Sequence, residues 1–228
     1  MIEVHQKWKT SSGINELVAI GEKYRTLYDE TLKLISLYKT NKIKIIPSLK
    51  GNLGEFIAMK ELIKRFKDSK IEYLGGSKKY YDILINDKIK IQVKTSCLGL
   101  INNNGFFLTE ESADFKPDIF EKIDFIIFLV LDLEDILKSG KMKYMDLYIF
   151  NKEDFKNFKN TGWFGKTQNK IQIANVAKVI KDIPSDTQNK KMKSLKEKLK
   201  IYDTDEYHRL FRESKDNWDK IKSLLQLS

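Results

Sequence analysis

One cysteine, Cys97, stands in 228 residues, which excludes an internal disulfide framework and a zinc site built from cysteines. With only two histidines, His5 and His208, a His-rich metal centre is excluded as well. Long hydrophobic runs are also lacking. The longest, FIIFLVL at 125–131, falls far short of the roughly 20 apolar residues that cross a bilayer. The opening, MIEVHQKWKTSSG, is polar and has no apolar core of the signal-peptide kind. These absences lead us to expect a soluble, cytoplasmic protein with no membrane partner. Acidic residues are in short supply: 32 Asp and Glu face 42 Lys and Arg, a net charge of +10. Such a balance favours polyanionic partners, nucleic acid first, although an A+T-rich coding sequence would give the same abundance of lysine. The length suits one domain, 1–228, able to bury a real core.

What is present reads as alternating helix and strand. Residues 14–39 set Leu17, Ile20, Tyr24, Leu27, Leu34, Ile35 and Tyr38 at helical spacing, with Ser11 or Ser12 as the N-cap. Pro47 interrupts, and a second helix is expected from about 49 or 52 to 66. Strand-like pieces follow at 71–74, 80–85 and 89–95. Residues 99–107, GLINNNGFF, read as a turn-rich loop. DFIIFLVLD at 124–132 is apolar on both faces, as a buried strand is, and YMDLYIF at 144–150 is another strand. A short helix, KEDFKNFK, then a loop, a strand and a helical tail complete the chain. We find no internal repeat and no low-complexity linker. The fold class is α/β of α+β character: a central mixed, mostly antiparallel sheet flanked by helices, with helical additions at 11–40 and 194–228.

The stretch KKYYDILINDKIKIQVKTS, residues 78–96, carries polar residues where a buried hairpin would prefer Val, Ile or Thr. With Asn86-Asp87-Lys88 as the loop, Ile85 faces Ile89, Ile83 faces Ile91 and Tyr81 faces Val93. All the apolar side chains then share one face, and a one-residue slip would scatter them. The same register sets Asp82 opposite Gln92, with Lys94 one step along, so the three cluster within roughly 5–8 Å. A simply solvated face would accommodate them too. The strong apolar flanks of IKIQVKTS, however, indicate a central strand rather than an edge. A carboxylate, a neutral oxygen ligand and a lysine on one sheet surface can hold a hard divalent cation and a water beside it.

This arrangement, YDILI followed by IQVKTS, resembles the core motif of the PD-(D/E)XK nuclease superfamily, the restriction-endonuclease-like fold. Asp82 matches its first acid, Gln92 the middle position and Lys94 the lysine. Tyr81 replaces the usual proline, and Gln92 stands where Asp or Glu is commoner. The resemblance covers about 48–150, the expected catalytic core. It also extends to GNLGE at 51–55, since many members carry a helical glutamate before the hairpin. Glu55 shares a helical face with Met59, Leu62 and Phe66, whereas Glu61 points outward. The spacing Asn52-x-x-Glu55 is equally that of a capping box.

The resemblance implies catalysis by Glu55, Asp82, Gln92 and Lys94. Mg²⁺, or Mn²⁺ in its place, would be held by Asp82, Glu55, the Gln92 oxygen and the Val93 carbonyl. Lys94 would hold the attacking water. Thr95 and Ser96 could bond phosphate oxygens, or serve as plain strand-end hydroxyls. Lys78 and Lys79 fit phosphate contacts, and Asn102, Asn103 and Asn104 could read base edges, unless these are a solvated charge run and a turn. The expectation is therefore a Mg²⁺-dependent endonuclease of a type II restriction system, a homodimer acting on double-stranded DNA. Alternatives are a structure-specific repair nuclease or junction resolvase, and a DNA-binding module that has lost catalysis.

Overall fold

A computed structural model describes residues 42–75, 80–97, 99–101, 106–108, 112–115, 119–132, 136, 143–160, 169–172, 193, 197 and 204–226. The helix expected at 14–39, and Lys78, Lys79 and Asn102 to Asn104, lie outside them. The described elements, in chain order, begin with α1 (Lys42–Arg65), β1 (Ile71–Tyr73), β2 (Ile83–Ile85) and β3 (Ile89–Cys97). Next come β4 (Gly99–Ile101), β5 (Phe106–Leu108), β6 (Ser112–Phe115), α2 (Ile119–Lys122) and β7 (Phe125–Leu131). The last are β8 (Asp146–Asn151), α3 (Lys152–Asn160), β9 (Asn169–Gln172), α4 (Asp205–Ser214) and α5 (Asp219–Gln226).

The body is a five-stranded sheet in the order β1-β2-β3-β7-β8. Only β3 and β7 run parallel, and the other neighbours are antiparallel, so the sheet is mixed and the class is α+β. The hairpin pairs Ile83 with Ile91 and Ile85 with Ile89, the register that apolar alternation dictates. Its tip turns through Asn86 (φ 51°) and Asp87 (φ 58°), left-handed positions that these two residue types tolerate. Lys70 fastens the tip: its N–H donates to Asn86 Oδ1 at 2.8 Å and its Nζ to Asp87 Oδ1 at 2.9 Å.

β7 is buried along its whole length because both sheet faces are covered there. On the first face α1 lays Leu53, Phe56, Ile57, Met59 and Leu62 over Ile83, Ile91, Val93, Ile127 and Leu129. Trp218 and Ile221 of the α5 region join the same core. On the second face Phe128 and Phe150 are fully buried, and Phe211 of α4 meets the rings of Tyr148 and Phe150 at 5.2 and 5.4 Å. A half-buried lysine fixes the tail to this end: Lys220 Nζ donates to the buried Asp154 Oδ2 at 2.7 Å, Ser214 Oγ at 2.9 Å and Ile149 O at 3.2 Å.

Three expectations are corrected. α1 begins at Lys42, so Pro47 lies inside it rather than before it, at the loss of one i→i−4 hydrogen bond. Asn52 is consequently well inside the helix and caps nothing, which removes the capping-box explanation of Glu55. Second, the segment 99–107 is not one loop, since β4 and β5 pair antiparallel with Ile101 opposite Phe106. Third, Glu61 does not point outward. Its side chain is 14% exposed and pairs with Arg65 at 3.1 Å, because Arg65 is itself drawn over the Trp218 ring, 4.7 Å from its centroid. Among the described residues no helix is long and apolar enough to cross a membrane.

Candidate active site

β3 is the third of five strands, so the polar residues of IQVKTS sit at the centre of the sheet. Strand alternation sends Ile91 and Val93 into the α1-covered core and leaves Gln92 and Lys94 half-buried on the other side. Asp82 precedes β2, and its N–H donates to Ile91 O at 2.9 Å, which aligns it with the middle of β3. It is a buried carboxylate, 8% exposed.

Two donors converge on one oxygen of that carboxylate. The Val93 N–H donates to Asp82 Oδ2 at 2.8 Å, and the Gln92 side-chain Nε2 donates to the same atom at 2.6 Å. Gln92 Nε2 also donates to Val93 O at 3.3 Å. The amide nitrogen thus sits between two oxygens, a carboxylate and a main-chain carbonyl. Burial pushes the Asp82 carboxyl up to about 6, against the opposing pull of the Val93 N–H, the Lys94 charge and the Gln92 amide. Lys94 is therefore close enough for its charge to act on Asp82. The residues brought together are Asp82, Gln92, Val93 and Lys94.

Glu55 comes from α1 and accepts a hydrogen bond from the Tyr73 hydroxyl. Tyr73 pairs with Ile83, directly after Asp82, and the next residue along, Leu74, donates its N–H to Asp82 O at 2.8 Å. The glutamate is thus pinned to the strand that borders Asp82. Tyr73 escaped notice in the sequence, where only its alternation with Ile71 marks it as facing the core. Among the described residues no group of three or more His, Cys, Asp or Glu side chains could hold a metal. Any cation here depends on the mixed donor set of carboxylate, amide and main-chain oxygen.

Thr95 lies beneath α1. A Cβ built on Gly54 would come within 1.7 Å of Thr95 Oγ1 and 2.8 Å of Thr95 Cβ, so this glycine permits the helix to approach the strand. Gly51 meets nothing within 4 Å. Rotating Thr95 cannot relieve its Cβ, so Gly54→Ala must shift the helix, and we expect a loss of roughly 1–3 kcal/mol. Urea unfolding checks this, with Thr95→Ala in the same chain restoring part of the loss. An unaltered midpoint for Gly54→Ala would show that the approach is not tight. Ser96 continues β3.

Fold and site together define an α+β protein with a buried carboxylate, an amide and a lysine gathered at the middle of a mixed sheet. No protein-family model and no curated protein matches the chain. Among solved structures it is similar to a bacterial homing endonuclease, I-Ssp6803I, with 19% identity and a TM-score of 0.31. That match covers 48% of this chain and 67% of the other, too slight a likeness to assign a family.

Proposed function

We propose that this protein is an endonuclease that hydrolyses DNA phosphodiester bonds with a divalent cation, Mg²⁺ or Mn²⁺, as a homodimer acting on double-stranded DNA in a restriction system. The observation that supports this most directly is the buried Asp82 carboxylate, which shares the Gln92 amide nitrogen with the Val93 carbonyl, at 2.6 and 3.3 Å. A buried carboxylate is costly unless it meets positive charge. Here a neutral N–H stands where a hard cation would satisfy both oxygens. The donor set suits such an ion, which takes carboxylate, carbonyl and amide oxygens with water and phosphate.

Asp82 and Val93 O would hold the ion, joined by Gln92 once its amide turns to present oxygen, and by Glu55 directly or through water. Bound there, a divalent ion supplies Lewis acidity to the phosphate and to the attacking water. Lys94 orients that water and offsets the charge that grows on the phosphate. The net charge of +10 assists approach of a polyanion.

The test is incubation of the full chain with supercoiled plasmid in Mg²⁺ and in EDTA, alongside Asp82→Ala and Lys94→Ala. Cleavage by the parent in Mg²⁺ alone, absent from both variants, is the expected result. Discrete fragments from phage DNA would point to restriction, and cutting confined to branched DNA to a resolvase or repair nuclease. The Gln92–Asp82 hydrogen bond also favours a second reading, a DNA-binding module without catalysis. A plasmid left intact in both Mg²⁺ and Mn²⁺ would select it.

A further inference from the structure

Glu55 and Asp82 come from different elements, α1 and the residue before β2, and one short segment touches both. The Tyr73 hydroxyl donates to Glu55 Oε2, and the N–H of the next residue, Leu74, donates to Asp82 O at 2.8 Å. Tyr73 stands opposite Ile83 in the β1–β2 ladder and packs against the core that α1 helps to form. The chain then turns at Gly75 through a left-handed conformation, φ 56°, which brings it back against the phenol. A Cβ on Gly75 would stand 3.1 Å from Tyr73 Oη and 3.2 Å from Cε1 and Cζ, closer than side chains ordinarily pack. Backbone and space both call for glycine here, and the phenol stays where it meets Glu55. Glu55 itself shares the apolar stripe of α1 with the buried Met59 and Leu62. An apolar residue would pack there with no partner at all. A carboxylate held there by a phenol adds nothing that folding needs, but it suits a ligand whose direction must be set.

We propose that Tyr73 is a positioning residue, whose hydroxyl holds the Glu55 carboxylate in register with Asp82 for the divalent cation. The proposal rests on the nuclease reading and adds to it a residue outside the motif. Loss of such an outer partner typically lowers metal affinity or activity about 10- to 100-fold, because the ligand it oriented is then free to turn. Consecutive residues, Tyr73 and Leu74, brace the two carboxylates, so the donors are set before an ion arrives.

Calorimetric titration of the full chain with Mn²⁺ tests this without any cutting, and thermal unfolding in EDTA shows that each variant is folded. Tyr73→Phe keeps the ring and removes the hydroxyl. It should weaken Mn²⁺ binding about 10-fold and slow plasmid cleavage at limiting metal, with most of the rate restored at saturating Mn²⁺. Glu55→Gln should weaken binding too. Adding Tyr73→Phe to it should change nothing further, because the hydroxyl acts through the carboxylate. Gly75→Ala, which crowds the hydroxyl without removing it, should reproduce part of the loss, and it decides the matter if Tyr73→Phe does not fold. If Tyr73→Phe binds Mn²⁺ like the parent, or weakens binding equally in the Glu55→Gln chain, while the parent cuts DNA, this inference fails and the nuclease reading survives. If the parent neither binds Mn²⁺ nor cuts DNA, both fall together.

Discussion

Replacing Asp82 by asparagine should make the metal-free protein more stable at pH 8 while reducing DNA cleavage by at least about a thousandfold. The carboxyl group titrates near 6 in the folded chain against 3.8 in its ordinary state, chiefly because it is buried. Below pH 4 it is protonated both folded and unfolded, and no cost arises. Between pH 4 and 6 the unfolded chain releases this proton while the folded chain still keeps it. Stability must therefore fall as pH rises through that interval, and above 6 the loss is complete, at about 3 kcal/mol. Asparagine escapes this penalty and keeps an oxygen for the Val93 N–H. Its own NH₂ can donate to the Gln92 oxygen if that amide turns over. A gain of roughly 1–3 kcal/mol corresponds to a rise of about 2–10 °C in Tm at this chain length. Thermal unfolding of both proteins in EDTA from pH 4 to 8 measures it, and the curves should converge at the acid end. An Asp82→Asn protein less stable than its parent at pH 8, or a gap indifferent to pH, would mean the carboxylate belongs to the architecture and not to a site. Destabilising charge retained at a buried position is what function requires and folding alone does not.

The hairpin was legible because two independent signals agree there: apolar residues alternate with period two, and Asn86-Asp87 can adopt positive φ. The whole register follows from those two facts, including the alignment of Asp82 with the middle of β3. Central placement of β3 was legible too, from the strong apolar flanks of IKIQVKTS, whereas its parallel pairing with β7 was not. What escaped depends on contacts between distant segments. Pro47 ends a helix by local rules, yet α1 starts before it, at Lys42. Glu61 looks outward on a helical wheel until Trp218, far along the chain, draws Arg65 across that side. The pairing of β4 with β5 is carried by strands of three residues each, too short for alternation to register. At the site itself, residue types and spacing placed Asp82, Gln92 and Lys94 together. No periodicity could specify that Tyr73 would hold Glu55, or which end of the Gln92 amide would face Asp82.

That last point decides what a single change at Gln92 should do. The amide nitrogen bridges Asp82 Oδ2 and Val93 O, so it acts as a neutral substitute for positive charge between them. Gln92→Glu keeps the length of the side chain and removes the donor. In the absence of metal, two carboxylates would then crowd one half-buried position, and like charges there repel or share a proton. The apo protein should lose stability above pH 6, where Asp82 is ionised. A divalent ion reverses the effect, since the added charge and oxygen both favour it. Affinity for Mn²⁺ should rise roughly 10- to 100-fold, because ligand charge sets the strength of such sites. Titration calorimetry gives the affinity, and the Mn²⁺-induced shift in Tm, larger for the variant than for the parent, reports it independently of catalysis. Gln92→Met supplies the contrast: similar in length, with no oxygen and no charge, it should bind more weakly than the parent. If the three proteins bound Mn²⁺ alike, the ion would have no business at this position. The hydrogen bond between Gln92 and Asp82 would then stand as a structural pair, as the non-catalytic reading requires.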